Sequence, residues 1–285
     1  MSFIIDIFFT NLNKSLQFKL RIFCSMIINT AIQTIYILFL RGVSMEITAK
    51  NLVKIYGDRS VVNDVSFHMK KGEVVCLLGP NGAGKTTTFY MIVGLIKPNS
   101  GQVFIDDKDI TTWPMNQRAK SGIGYLPQEN SIFRKLTVEE NIKLVLEMNE
   151  KLTVNEKKEK LEELLNEFGV EKLRKSPAVA LSGGERRRVE IARALAASPD
   201  FMLLDEPFAG IDPIAIGDIK ENIRKISAEK GLGVLITDHN PKATLSITDR
   251  AYVIFDGRIK IEGKSADVAN DPIAKEFYLG KDFQL

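Results

Sequence analysis

At 285 residues the chain can form one large domain or two smaller ones, and either way it can bury a substantial core. A composition of 45% hydrophobic and 26% charged residues is ordinary for a soluble globular protein. The net charge of +3 is accounted for by Lys14, Lys19, Arg21 and Arg41 against Asp6, so the rest of the chain is neutral and shows no general nucleic-acid-binding surface. Cys24 and Cys76 are far apart, which excludes a disulfide framework or a zinc spacing and points to a reducing cytosol.

Residues 1–44 differ from all that follows. Ile22 to Leu40 is an uncharged run of 19 residues, diluted by Asn29, Thr30, Gln33 and Thr34 and flanked by cations. That length is at the lower edge for a bilayer crossing. Three readings are open: a transmembrane anchor, an uncleaved signal-like segment, or upstream sequence translated ahead of the true start. We favour the third, with Met45 as the start of a single domain that runs to Leu285.

From Met45, strand-like segments at 47–55 and 61–69 lead to the apolar run 73–78, which reads as a buried strand. A helix follows from about Thr87. Residues 102–105 and 123–128 read as short strands, and Thr137 to about Leu173 has a helical period with apolar positions Ile142, Leu144, Leu161, Leu164 and Leu165. We expect an inserted helical subdomain over about 130–180. Glu185–Ala197 is an Arg-rich helix, and 201–204 is an apolar strand. Residues 213–230 form a helix with Pro at its start. Val234–Thr237 is a strand, a helix begins at Pro241, and Asp256-Gly257 marks a hairpin between two last strands. Alternating strands and helices predict a parallel α/β core with an antiparallel addition.

Three stretches carry chemistry. Gly79-Pro80-Asn81-Gly82-Ala83-Gly84-Lys85-Thr86-Thr87 has the phosphate-loop spacing, between a strand and a helix as that motif requires. Its glycines let backbone N–H groups point at phosphate oxygens, Lys85 would reach the outer phosphates, and the Thr86 hydroxyl would hold magnesium. At the end of the strand 201–204, Asp205 would hold magnesium and Glu206 would activate water as general base. Leu181-Ser182-Gly183-Gly184-Glu185 opens a helix and can grip a phosphate through the Ser182 hydroxyl and the backbone of Gly183 and Gly184. A capping box accounts for Ser182 and Glu185 but leaves the two glycines unexplained. Two grips on opposite sides of one ATP are most simply supplied by two chains arranged head to tail.

In this order the three stretches resemble the ATPase domain of ABC transporters, over essentially Met45 to Leu285. The resemblance implies a P-loop NTPase core of ABC-ATPase type, with an antiparallel β subdomain and an inserted α-helical subdomain. It implies ATP and Mg2+ as cofactors and a homodimer as the working unit. It also implies that Tyr56 stacks on adenine, that Gln128 touches magnesium and signals to membrane subunits, and that Ala209–Asp212 form a dimer contact. His239 would contact the terminal phosphate as a neutral imidazole. His68 has no such setting and is read as a surface residue.

Further stretches narrow the match: Thr86–Met91, Glu129–Arg134, Gly184–Ile191, Leu235–Asn240 and the tail Tyr278–Leu285 closely resemble the ATPases of lipopolysaccharide exporters. That branch implies a groove near Phe133 and Arg134 that accepts two transmembrane permease subunits of the LptF/LptG type. It also implies a tail that contributes to dimer assembly, no direct contact with lipid, and a place on the cytoplasmic face of the inner membrane. The ATPase of another transporter, such as a branched-chain amino-acid importer, shares every catalytic residue and remains the alternative. A soluble ABC protein acting on ribosomes or DNA is disfavoured by the single domain and the lack of basic excess.

Overall fold

The computed structural model describes residues 45–285, and the readings of residues 1–44 lie outside the described residues. Met45–Leu285 forms one compact unit. Among the described residues no helix is long and apolar enough to cross a membrane.

The chain opens with two long strands, β1 (Glu46–Tyr56) and β2 (Arg59–Lys70), paired antiparallel. Together with β4 (Ser100–Ile105) and the two-residue β5 (Lys108–Asp109) they make a four-stranded sheet in the order β2-β1-β4-β5. The second sheet contains β3 (Val74–Leu78), β6 (Ile123–Leu126), β7 (Phe201–Asp205), β8 (Gly233–Thr237), β9 (Arg250–Phe255) and β10 (Arg258–Lys264), in the order β10-β9-β3-β8-β7-β6. Its members pair parallel except β9 with β10. Those two join antiparallel through Asp256-Gly257, with φ of 49° and 72°, the left-handed pair that a two-residue hairpin requires.

β3, β7 and β8 are buried at every position, so they read as continuous apolar runs rather than alternations. Alternate side chains nevertheless go to different cores. Val74, Cys76, Leu78, Met202, Leu204, Val234 and Ile236 join one cluster, with the helices after Thr137. Val75, Leu77, Phe201, Leu203 and Leu235 join another, with the antiparallel sheet and helix α1 (Lys85–Val93). The central sheet thus separates two apolar layers.

The remaining helices are α2 (Met115–Lys120), α3 (Val138–Glu147), α4 (Val154–Glu167), α5 (Gly183–Leu195), α6 (Pro213–Lys230), α7 (Pro241–Leu245), α8 (Ser265–Asn270) and α9 (Pro272–Ala274). α3 and α4 are the expected insertion, each opened by a Thr capping box, at Thr137 and Thr153. Ile142, Leu161, Leu164 and Leu165 are buried as expected, but Leu144 is exposed: it lies two residues from both Ile142 and Leu146, off the buried face of α3. The sequence reading also missed α2, β5 and the short elements after Lys264.

β3, β8, β7 and β6 are neighbours in that order, and their ends are in register. Leu77 pairs with Thr237, Asp205 with Thr237, and Leu126 with Leu204. The loops carrying Gly79, His239, Glu206 and Gln128 therefore leave the same edge of the sheet side by side, where parallel sheets keep their ligands.

Candidate functional site

The phosphate loop is shaped by glycines that no other residue could replace. Gly79 and Gly84 have φ of +150° and +104°, and an added Cβ would lie 2.1 Å from the Ile254 carbonyl and 2.6 Å from that of Val61. Lys85 opens α1 and is 7% exposed; its Nζ donates to the carbonyls of Gly79 at 2.6 Å and Pro80 at 3.0 Å. Burial pulls the Lys85 ammonium below its usual pKa, while Glu206, Asp205 and Asp238 pull the other way. The residue before it, Gly84, offers no side-chain cap, so the first amides of α1 have no side chain at Gly84 to satisfy them. An anion placed there meets free N–H groups and the positive end of the helix. Thr86 stands exposed on the first turn.

Three of the expected residues meet directly. Glu206 Oε2 accepts from Gln128 Nε2 at 2.8 Å and lies 3.3 Å from His239 Nδ1. Gln128 comes from the end of β6, Glu206 from β7 and His239 from β8, so the sheet order brings them together. Behind them Asp205 is 1% exposed; its Oδ1 accepts from Thr237 Oγ1 at 2.6 Å, while its Oδ2 is buried without a hydrogen-bond partner among the described residues. Burial raises the pKa of this carboxyl, partly offset by the Thr237 hydrogen bond. A carboxylate oxygen left without a partner suits a cation. Asp205, the Thr86 hydroxyl and the Gln128 amide oxygen are oxygen donors of the kind magnesium prefers.

The segment Ser182–Gly184 is a helix start in its own right. Ser182 Oγ accepts from Glu185 N at 3.3 Å, and Ser182 N donates to Glu185 Oε2 at 2.8 Å, a complete capping box. The structure adds a packing reason for one of the two glycines. Gly184 does not require a phosphate to explain it, because a Cβ there would fall 2.4 Å from Ala215 Cβ on α6. Gly183 is exposed, and a Cβ there would meet only the Gly210 carbonyl, at 3.6 Å, so it is the glycine left open to a ligand. Among the described residues no hydrogen bond joins Ser182–Gly184 to the phosphate loop of the same chain. A cleft of about 370 Å³ instead runs from Gly183 and Arg186 to Gln128, Asn130, Ala209 and Gly210.

Behind that cleft is a buried network that the sequence reading missed. Arg187 and Glu190 of α5 pair at 3.3 Å with side chains 6% and 1% exposed. Arg187 also donates to the carbonyls of Pro127 and Asp205, at 2.9 and 3.2 Å. Glu190 Oε1 accepts from the backbone of Ser131 and Ile132, and Arg193 donates to the Ser131 carbonyl. The signal was present: Arg187 and Glu190 are charged residues at buried positions of α5, beside Val189, Ile191 and Leu195. The network fixes the loop that follows Gln128. Phe133 on that loop is 48% exposed, lies over the Arg193 guanidinium at 5.1 Å, and is followed by the exposed Arg134.

Tyr56 ends β1 with its ring 47% exposed and Lys54 Nζ over it at 5.2 Å, an accessible aromatic face. His68 departs from the expected surface position: it is half-buried, with Nδ1 3.3 Å from the hydroxyl of Tyr252, whose ring reaches across from β9. Cys76 is fully buried against Thr248, and burial pushes its thiol up to about 12.

Comparison with known proteins fits this geometry. The family model described as ABC transporter matches residues 62–209. This chain belongs to the ABC transporter family. The lipopolysaccharide export system ATP-binding protein LptB of Haemophilus influenzae is 55% identical to this ABC cassette over 239 residues, which is 84% of this chain and 99% of that protein. A solved ATP-binding cassette of an ABC transporter in its ADP conformation has 31% identity and a TM-score of 0.72, covering 84% of this chain and 100% of that one. A dimeric bacterial ABC transporter cassette gives 29% identity and a TM-score of 0.69, covering 77% and 98%.

Proposed function

We propose that this ABC ATPase is the motor subunit of a lipopolysaccharide exporter, working as a homodimer on the cytoplasmic face of the inner membrane. The observation that carries the reading is the 55% identity over 99% of the length of the Haemophilus influenzae LptB. Two transmembrane permease subunits of the LptF/LptG type would dock in the groove by Phe133 and Arg134. The exposed Phe133 ring, stacked on Arg193 and held by the Glu190 network, offers such helices a rigid apolar anchor.

In this reading Lys85 and the amides of the phosphate loop bind the ATP phosphates, and Tyr56 stacks on the adenine. Magnesium, when bound, neutralises phosphate charge, held by Thr86, Asp205 and Gln128. Glu206 accepts the proton of the attacking water as general base, and His239 contacts the terminal phosphate. The hydrogen bond from Gln128 orients the Glu206 carboxylate, so the loop that senses the permeases reports directly to the base. Ser182 and Gly183 would grip the phosphate held by a second copy of the chain, with Ala209–Asp212 at the contact; a dimeric cassette of similar fold supports this.

The test is affinity purification of the Glu206→Gln protein from solubilised native membranes with ATP, followed by identification of what co-purifies. Recovery of two membrane proteins of the lipopolysaccharide-export type is expected. Importer permeases would leave the ATPase in place and overturn the export assignment, and ribosomes or DNA without a membrane protein would overturn the transporter role.

A further inference from the structure

Glu206 holds a backbone conformation that its sequence disfavours. Its φ is +43°, in the left-handed region, although it carries a long side chain. Pro207 follows it, and a proline pushes the preceding residue toward extended geometry. Such a conformation persists only where its surroundings enforce it. Three hydrogen bonds do so. Glu206 N donates to the Thr237 carbonyl at 2.8 Å, continuing the sheet ladder, and Ala209 N donates to the Glu206 carbonyl at 3.2 Å, within the turn. The third comes from a side chain: Phe208 N donates to Asp238 Oδ2 at 3.2 Å.

Asp238 is fully buried, next to His239 in the chain. Its Oδ1 accepts from Asn240 N at 2.8 Å and lies 3.6 Å from His239 Nδ1. The Asn240 bond is a local turn that asparagine or serine also makes. The Phe208 bond spans thirty residues of sequence and has no such local reason. One carboxylate therefore ties the turn after Glu206 to the turn that carries His239.

We propose that Asp238 is a positioning residue for ATP hydrolysis: its carboxylate holds the turn at Glu206–Phe208, and with it the left-handed Glu206 that aims Oε2 at Gln128 Nε2 and His239 Nδ1. A buried carboxylate is a costly way to accept two amide hydrogen bonds, and its two acceptor ends are what the position demands. Asparagine has the same shape, but in either orientation its NH2 end would face a backbone N–H. Asp238 does not touch the reacting atoms; it acts through Glu206. The inference rests on Glu206 being the general base, but the strain it describes does not.

The test uses the full chain with Asp238→Asn, Glu206→Gly and the double substitution. Thermal unfolding is measured without nucleotide in each, and ATP turnover and ATP affinity in Asp238→Asn. We expect Asp238→Asn to lower kcat at least tenfold while ATP affinity changes less than twofold. We expect its drop in melting temperature to shrink by at least half in the Glu206→Gly background, because glycine takes the left-handed conformation freely. Equal drops in the two backgrounds would overturn the positioning role, and so would unchanged turnover. Should Asp238→Asn fail to fold, Asp238→Ser, which keeps one acceptor, goes through the same cycle with the same deciding outcomes. Full turnover by Glu206→Gln would remove the general-base reading alone, leaving the thermal cycle to decide the strain.

Discussion

Gln128 Nε2 donates to Glu206 Oε2 across 2.8 Å, joining the loop after β6 to the end of β7. The same oxygen faces His239 Nδ1 at 3.3 Å, so one carboxylate oxygen is shared by the groups on either side. Replacing Glu206 with Gln keeps the shape and removes the base. General-base loss costs about 10²–10⁴-fold in rate, so we expect turnover to fall by at least about 100-fold with ATP binding retained and a closed dimer accumulating. Steady-state ATPase assays and size-exclusion chromatography with ATP check this; normal turnover would sink the role assigned to Glu206.

Lys85→Ala should act on binding. The Lys85 ammonium is buried under the phosphate loop and is positioned by two loop carbonyls rather than by an acid. A charge-assisted hydrogen bond contributes about 1.5–3 kcal/mol, so ATP affinity should fall by about 10- to 150-fold. Equilibrium binding of a fluorescent ATP analogue measures it, and unchanged affinity would remove Lys85 from the phosphate site.

The parts of this molecule that were legible in the sequence are those where a local pattern and a global requirement coincide. The buried runs of β3 and β7, the phosphate loop and the Asp256-Gly257 hairpin each need only a few neighbouring residues to be recognised. Glu206 was read from its strand end and Gln128 and His239 from family resemblance, but their direct meeting was not foreseen, since strand order is not written in any single stretch. Arg187, Glu190 and Asp238 went unnoticed because their partners lie 18 to 60 residues away, at the carbonyl of Asp205 and the backbone of Ser131, Pro127 and Phe208. The packing reason for Gly184 went unnoticed for the same reason: its neighbour Ala215 belongs to another helix.

Cys76 gives a prediction about pH. Burial raises its thiol to about 12 from an ordinary value of 9.0, so the native state keeps a proton that the unfolded chain gives up. The unfolded state binds fewer protons between those values, and stability therefore falls as pH rises from about 9 toward 12. At pH 8 the native thiol is therefore held protonated. In a Cys24→Ser background, maleimide labelling of the folded protein should be negligible at pH 8 and become rapid in denaturant. Fast labelling of the folded protein would contradict the buried thiol. Cys76→Ala should also reduce the alkaline loss of stability, followed by denaturant unfolding at pH 8 and pH 10.5.

The two glycines of the Ser-Gly-Gly helix start separate packing from ligand contact. A methyl group at Gly184 would sit 2.4 Å from Ala215 Cβ, well inside van der Waals contact, so α5 and α6 would have to move apart. Overpacking of this kind costs about 1–3 kcal/mol, and Gly184→Ala should lower the melting temperature by several degrees. Ala215→Gly removes the opposing methyl, and the double variant should regain most of the loss. At Gly183 a methyl would meet only the Gly210 carbonyl, at an ordinary 3.6 Å. Gly183→Ala should therefore leave stability within about 0.5 kcal/mol, yet lower ATP turnover if this exposed backbone grips the phosphate bound by a second copy. Thermal unfolding and ATPase assays on the three single variants and the double separate the roles. A stability loss at Gly183 as large as that at Gly184 would show that both glycines serve helix packing, and unchanged turnover in Gly183→Ala would remove its backbone from the phosphate grip.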